Sequence, residues 1–108
     1  MVTLPPAAWS LERRCEWLEN PTPANYWLKD RQGEWTLSIQ GGYVAEGYDD
    51  NMPDMTTAGW VETNGHSGYG CACLNVVVYP ASRHVLRLVS ATPIPLARCR
   101  ADKSLPRP

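Results

Sequence analysis

Cys71-Ala72-Cys73-Leu74-Asn75-Val76-Val77-Val78-Tyr79, then Pro80-Ala81-Ser82-Arg83, then His84 to Ala91, reads as a β-hairpin. Side chains alternate across a strand. Ala72, Leu74, Val76 and Val78 therefore share one face, and Cys71, Cys73, Asn75, Val77 and Tyr79 the other. Pro93 and Pro95 are expected to stop the returning strand, because proline gives no N–H to a ladder.

A second hairpin lies upstream. Tyr26 to Lys29 reads as a strand, Asp30 to Gly33 as a turn, and Glu34 to Gln40 as the return. Trp35, Leu37 and Ile39 alternate there with polar neighbours, which puts the apolar set on one face. Gly41-Gly42 permits a bend, and residues 45–58 read as a long acidic loop punctuated by Gly47 and Pro53. Trp60 to Thr63 is a short strand and Asn64-Gly65 a turn, with Gly65, Gly68 and Gly70 keeping the backbone pliable up to Cys71. Near the start, Ser10 reads as the cap of a short helical turn from Leu11 to Leu18, ended by Asn20-Pro21-Thr22-Pro23. The sum is a mainly-β chain of about five strands: a small twisted antiparallel sheet or a partly open barrel, stapled by disulfides. Residues 1–12 read as a Pro- and Ala-rich arm, 13–105 as one β-rich domain, and 106–108 as a tail.

The chain has 108 residues and no Phe, so bulk comes from five Trp, five Tyr and scattered aliphatics. A domain of this size buries a modest share of its surface, and four Cys can supply an extra clamp. Ten basic and eleven acidic residues leave a net charge of −1, which argues against a nucleic-acid binder. The charges are unevenly spread. Glu46, Asp49, Asp50, Asp54 and Glu62 cluster in the middle, and Arg83, Arg87, Arg98, Arg100, Lys103 and Arg107 cluster late. Such a distribution forms either two solvated surfaces or a dipole that steers a charged partner. No apolar run approaches a membrane span, so no membrane insertion is expected. Met-Val-Thr-Leu-Pro-Pro does not read as a secretory leader.

Four cysteines allow three pairings. Cys71 and Cys73, two apart on one strand, would strain the backbone if bonded to each other. Cys15 then pairs with one of them and Cys99 with the other, in either order. Each bond would staple a chain end to the central strand and stabilise by roughly 2–5 kcal/mol. The C-x-C spacing is a poor match to a zinc knuckle, and His66 and His84 sit at turns, so no metal or other cofactor is expected. Two disulfides point to a periplasmic or secreted protein whose leader has been removed.

Several blocks resemble domain of unknown function 4087. They are Arg14-Cys15-Glu16-Trp17, Asn20 to Asn25, Asp30 to Ile39, Gly68-Tyr69-Gly70-Cys71-Ala72-Cys73, and Pro95 to Asp102. The resemblance runs from about Arg13 to Leu105. It implies a small bacterial product made with a signal peptide and exported to the periplasm. It carries no activity and no site residues.

A rigid stapled sheet with long loops suits a binding module, such as an inhibitor or immunity protein for a toxin or cell-wall enzyme. Tyr and Trp anchor interfaces, so the expected binding residues are Tyr43, Tyr48, Trp60, Asn64, His66 and Tyr69, with another protein as partner. The same residues fit a carbohydrate or peptidoglycan module that stacks sugars on aromatic rings. A structural envelope protein is the plainest alternative. Catalysis is not expected. His66 and Ser67 are adjacent on one turn and make no triad by themselves, and the central acids lack EF-hand spacing.

Overall fold

The computed structural model describes residues 9–108. Six strands form one sheet: β1 (Ser10–Thr22), β2 (Asn25–Asp30), β3 (Gly33–Ser38), β4 (Trp60–Asn64), β5 (Ser67–Tyr79) and β6 (His84–Ile94). Two short helices, α1 (Tyr48–Asn51) and α2 (Leu96–Ala101), and a 3-10 turn at Met55–Thr57 complete it.

β5 organises the sheet. One edge pairs with β1 over eleven positions, from Ser10 opposite Val78 to Asn20 opposite Gly68. The other edge takes β4 beside Ser67–Gly70 and then β6 beside Cys71–Tyr79. β1 also pairs with β2, β2 with β3, and β3 touches β6 in parallel at Thr36 and His84. The ring β1-β2-β3-β6-β5-β1 is a partly open barrel with β4 as an added arm. The chain after β3 helps close it. Ala45 N–H donates to Leu37 O, and Glu46 N–H donates to Leu86 O, so this segment bridges β3 and β6.

The inward alternation predicted for the central hairpin is present: Ala72, Leu74, Val76 and Val78 are all fully buried. They pack with Leu18, Leu28, Trp35, Leu37, Val85 and Leu88. On the outer face Trp17, Cys71 and Cys99 form a second cluster with Tyr69, Ile94, Leu96 and Leu105. Cys15 is bonded to Cys73 and Cys71 to Cys99. The C-x-C spacing thus ties the single strand β5 to β1 on one side and to α2 on the other.

Six expectations change. Residues 11–18 are strand, not helix, because pairing with β5 and the Cys15–Cys73 bond outweigh weak local propensity. The arm expected over 1–12 accordingly gives way to β1 at Ser10; the rest of that expectation lies outside the described residues. Pro93 does not stop β6, which pairs on to Ile94 opposite Cys71. Among the described residues no strand lies on its other side there, the position where a strand tolerates proline. Ser67–Gly70 is strand rather than pliable loop. A Cβ on Gly68 would lie 1.7 Å from Val61 O, and one on Gly70 would lie 2.9 Å from the Trp60 ring. These glycines let β4 lie close against β5. Finally, β3 ends at Ser38 and leaves Ile39 exposed, while the acidic stretch folds into α1 and the 3-10 turn, whose Met55 is buried.

Candidate functional site: a cleft beside the free edge of β1

β2 pairs with β1 only from Trp17, opposite Lys29, onward. Among the described residues, β1 from Leu11 to Glu16 is therefore paired on its β5 side alone. Beside this free edge lies an open cleft of about 450 Å³. Its walls are β1 from Glu12 to Glu16, the hairpin tip Asp30–Gln32, and Ser104 with Leu105.

Period two sends Glu12, Arg14 and Glu16 inward, on the face of β1 that carries Leu18 in the core. At the barrel mouth they need partners, and Arg14 supplies them. Its Nη1 donates to Glu12 Oε2 at 2.7 Å, its Nε to Glu16 Oε1 at 2.5 Å, and its Nη2 to Asp30 Oδ2. Asp30 is held in turn. Its Oδ1 accepts the Gln32 and Gly33 N–H groups of the turn, and its Oδ2 accepts Trp35 Nε1–H at 3.0 Å. The guanidinium carbons of Arg14 and Arg83 each lie 4.6 Å from the Trp35 ring centroid, a cation–π geometry. The mouth is thus plugged by a connected ionic network.

Glu16 is only 3% exposed. Burial pushes its carboxyl above the usual range, while the bonds and charge of Arg14 pull it back part of the way. Burial also works against the Arg14 charge, but bonding to Glu16 and Glu12 and the charge of Asp30 outweigh it and raise its pKa. Arg14 thus offsets part of the burial cost at Glu16, and Glu16 in turn favours the Arg14 charge.

The cleft rim is cationic. Arg13 and Arg31 line it, and Arg31 Nη2 donates to Lys103 O at 3.0 Å. Leu105 also lines two adjoining depressions, one with Arg98 and Cys15, the other with Arg100 and Arg107. Among the described residues, none of these six cations is within ion-pair distance of a carboxylate. Of the late basic cluster, Arg98, Arg100, Lys103 and Arg107 thus lie near Arg13 and Arg31, whereas Arg83 packs on Trp35 and Arg87 pairs with Glu46. The middle acids sit across β5 from β1, on or beside α1, the 3-10 turn and β4.

The residues expected to bind do not form one site. Trp60 and His66 meet in a separate cleft of about 230 Å³ with Asn20, Tyr26, Asp54 and Thr56. Tyr48 packs edge-on against Tyr26 beside it, at 5.4 Å. Asn64 Nδ2 donates to Pro21 O. Tyr43 lies elsewhere: its hydroxyl donates to Val85 O and its ring packs on His84. Tyr69 packs edge-on against Trp17 beside the second cluster. The Arg14 network escaped the sequence reading because a helical period scatters Glu12, Arg14 and Glu16, whereas a period of two aligns them. Their alternation with Leu18 was the available signal.

Fold and site define a class: a small, doubly disulfide-stapled, partly open β-barrel with a charged cleft at its mouth. Residues 9–106 match the family model described as Protein of unknown function (DUF4087), and the chain belongs to that family. No curated protein and no solved structure matches it.

Proposed function

We propose that this chain is an extracytoplasmic protein-binding module that engages an acidic surface of its partner, in the manner of an inhibitor or immunity protein. One observation carries the reading: Arg13 and Arg31 on the cleft beside β1, and Arg98, Arg100 and Arg107 in the two depressions that adjoin it at Leu105, have no ion-pair partner among the described residues. Complementary charge steers encounter and suppresses wrong partners. The two disulfides support an oxidising compartment, and the rigid frame they give lowers the entropic cost of binding. Among the described residues, no helix is long and apolar enough to cross a membrane.

The test is charge reversal at exposed positions. Arg98→Glu with Arg100→Glu should slow association with the partner taken from envelope extract by at least about tenfold. Glu62→Lys, across β5, should leave the rate unchanged or raise it. Equal binding by all three proteins, or no specific partner at all, would sink the proposal. Fractionation of the producing cell should place the protein outside the cytosol.

A second reading is favoured by the cleft that holds Tyr26 and Trp60 with Asn20, Asp54 and Thr56. It presents aromatic rings and polar groups together, as a cell-wall glycan site does. Trp60→Ala would abolish co-sedimentation with purified peptidoglycan under that reading and leave protein binding intact.

A further inference from the structure

We infer that the partner is held by strand addition: an extended acidic segment of the partner protein pairs with the free edge of β1 from Leu11 to Glu16. The inference rests on the protein-binding reading above and deepens it. A strand paired on one side only leaves alternate N–H and C=O groups facing outward. No backbone or side-chain bond to the main chain of residues 11–16 covers that edge among the described residues. The edge is about 20 Å long at the usual rise per residue. It forms one wall of the open cleft, with the hairpin tip and Ser104–Leu105 as the others, so an incoming strand has both a ladder to join and walls to rest on.

Charge sets the chemistry of the occupant. Side chains on the outer face of the added strand would meet Leu11, Arg13 and Cys15, with Arg31 and the other rim cations beyond them. Arg13 is exposed and has no acidic partner among the described residues. Those outer positions therefore want Glu or Asp, with one apolar residue beside Leu11, which is 66% exposed. Inner-face side chains would meet Glu12, Arg14 and Glu16, already satisfied by one another, so uncharged residues fit there. A second copy of this chain suits the edge poorly. Bringing two β1 edges together about a two-fold axis would oppose two faces ringed by the same unpaired cations. Main-chain bonds would supply affinity, and the alternate acidic positions specificity.

The experiment uses the ¹⁵N-labelled, disulfide-intact protein and capped eight-residue peptides that alternate Glu with Val, Thr or Ser. Each peptide has a twin whose alternate amides are N-methylated, which keeps charge and side chains but removes strand donors. The expected result is binding, with hydrogen exchange at alternate amides of Leu11–Glu16 slowed about tenfold or more, and at least tenfold weaker binding of the methylated twin. Arg13→Glu should weaken the parent peptide by a similar factor. Equal binding of the twins without amide protection would overturn strand addition and leave the acidic-partner reading standing. Failure of every peptide to bind at low salt, together with no effect of the Arg98 and Arg100 reversals on partner capture, would overturn both. A doubling of mass with the same amides protected and no peptide present would give the edge to a second copy and overturn the inference.

Discussion

Replacing Arg14 by Met should remove the centre of the ionic plug and keep most of its apolar volume. The structure sets the size of the effect. The Glu16 side chain is 4% exposed and the Asp30 side chain 13% exposed. Arg14 is the hydrogen-bond donor that Glu16 has among the described side chains, whereas Asp30 retains Trp35 and the turn amides. Breaking a buried pair from one side leaves an uncompensated charge and costs about 3–5 kcal/mol. That is a large fraction of the roughly 5–15 kcal/mol that holds a typical domain. The loss is limited by protonation of Glu16, which gives the prediction its pH signature. In the folded chain burial raises this carboxyl; in the unfolded chain it titrates at its ordinary value. Between the two values the folded state binds more protons, so the Glu16 contribution to stability falls as pH rises through that window. Without Arg14 the window extends upward, and the deficit of Arg14→Met should be smaller near about pH 5 than at neutral pH. Adding Glu16→Gln should return about 2 kcal/mol at neutral pH, because no buried charge then remains at that position. Urea unfolding with both disulfides intact reads all three values. A neutral-pH loss under about 1 kcal/mol, the yield of an exposed pair, would refute the plug. So would a loss that does not change with pH.

Exposure separates the two disulfides: Cys15 is exposed, while Cys71 and Cys99 are 1% and 3% exposed. Graded reduction with alkylation and peptide mass mapping should open Cys15–Cys73 first; simultaneous opening would contradict the packing of the second cluster. Replacing both cysteines of either bond by Ser should cost about 3–4 kcal/mol by loop-closure entropy. Gly68→Ala should destabilise by about 3 kcal/mol or detach β4, since its Cβ would meet Val61 O at 1.7 Å. Thermal melts and the environment of Trp60 by fluorescence would report it, and a wild-type melt would refute the close approach. Burial raises Tyr43 and Tyr48 above the ordinary tyrosine value, with Tyr26 adding to the shift of Tyr48. Spectrophotometric titration should find at least two of the five tyrosines ionising late, with stability falling as pH rises past the unfolded tyrosine value.

The sequence by itself determined the local elements and their inward faces. Period two in Ala72-Leu74-Val76-Val78 and Trp35-Leu37 marked core strands, because alternation is a property of the chain before any partner is present. The cysteine spacing excluded a Cys71–Cys73 bond for the same local reason. Tertiary structure decided the rest. Whether Ser10–Leu18 is helix or strand depends on the long edge of β5, more than fifty residues away, which offers hydrogen bonds no local propensity outweighs. That choice of period brings Glu12, Arg14 and Glu16 onto one face. Asp30, Trp35 and Arg83 join them only when the ring closes. The choice between the two allowed disulfide pairings likewise waited on β1 lying directly beside Cys73. A glycine such as Gly70 beside Cys71 is consistent from sequence alone with a close strand approach; that the neighbour is β4 is decided by the tertiary structure. A charged cleft assembled from both chain ends is invisible to any reading along the chain. Its parts share no sequence window, and only the stapling of β1 and α2 to one central strand puts them in contact.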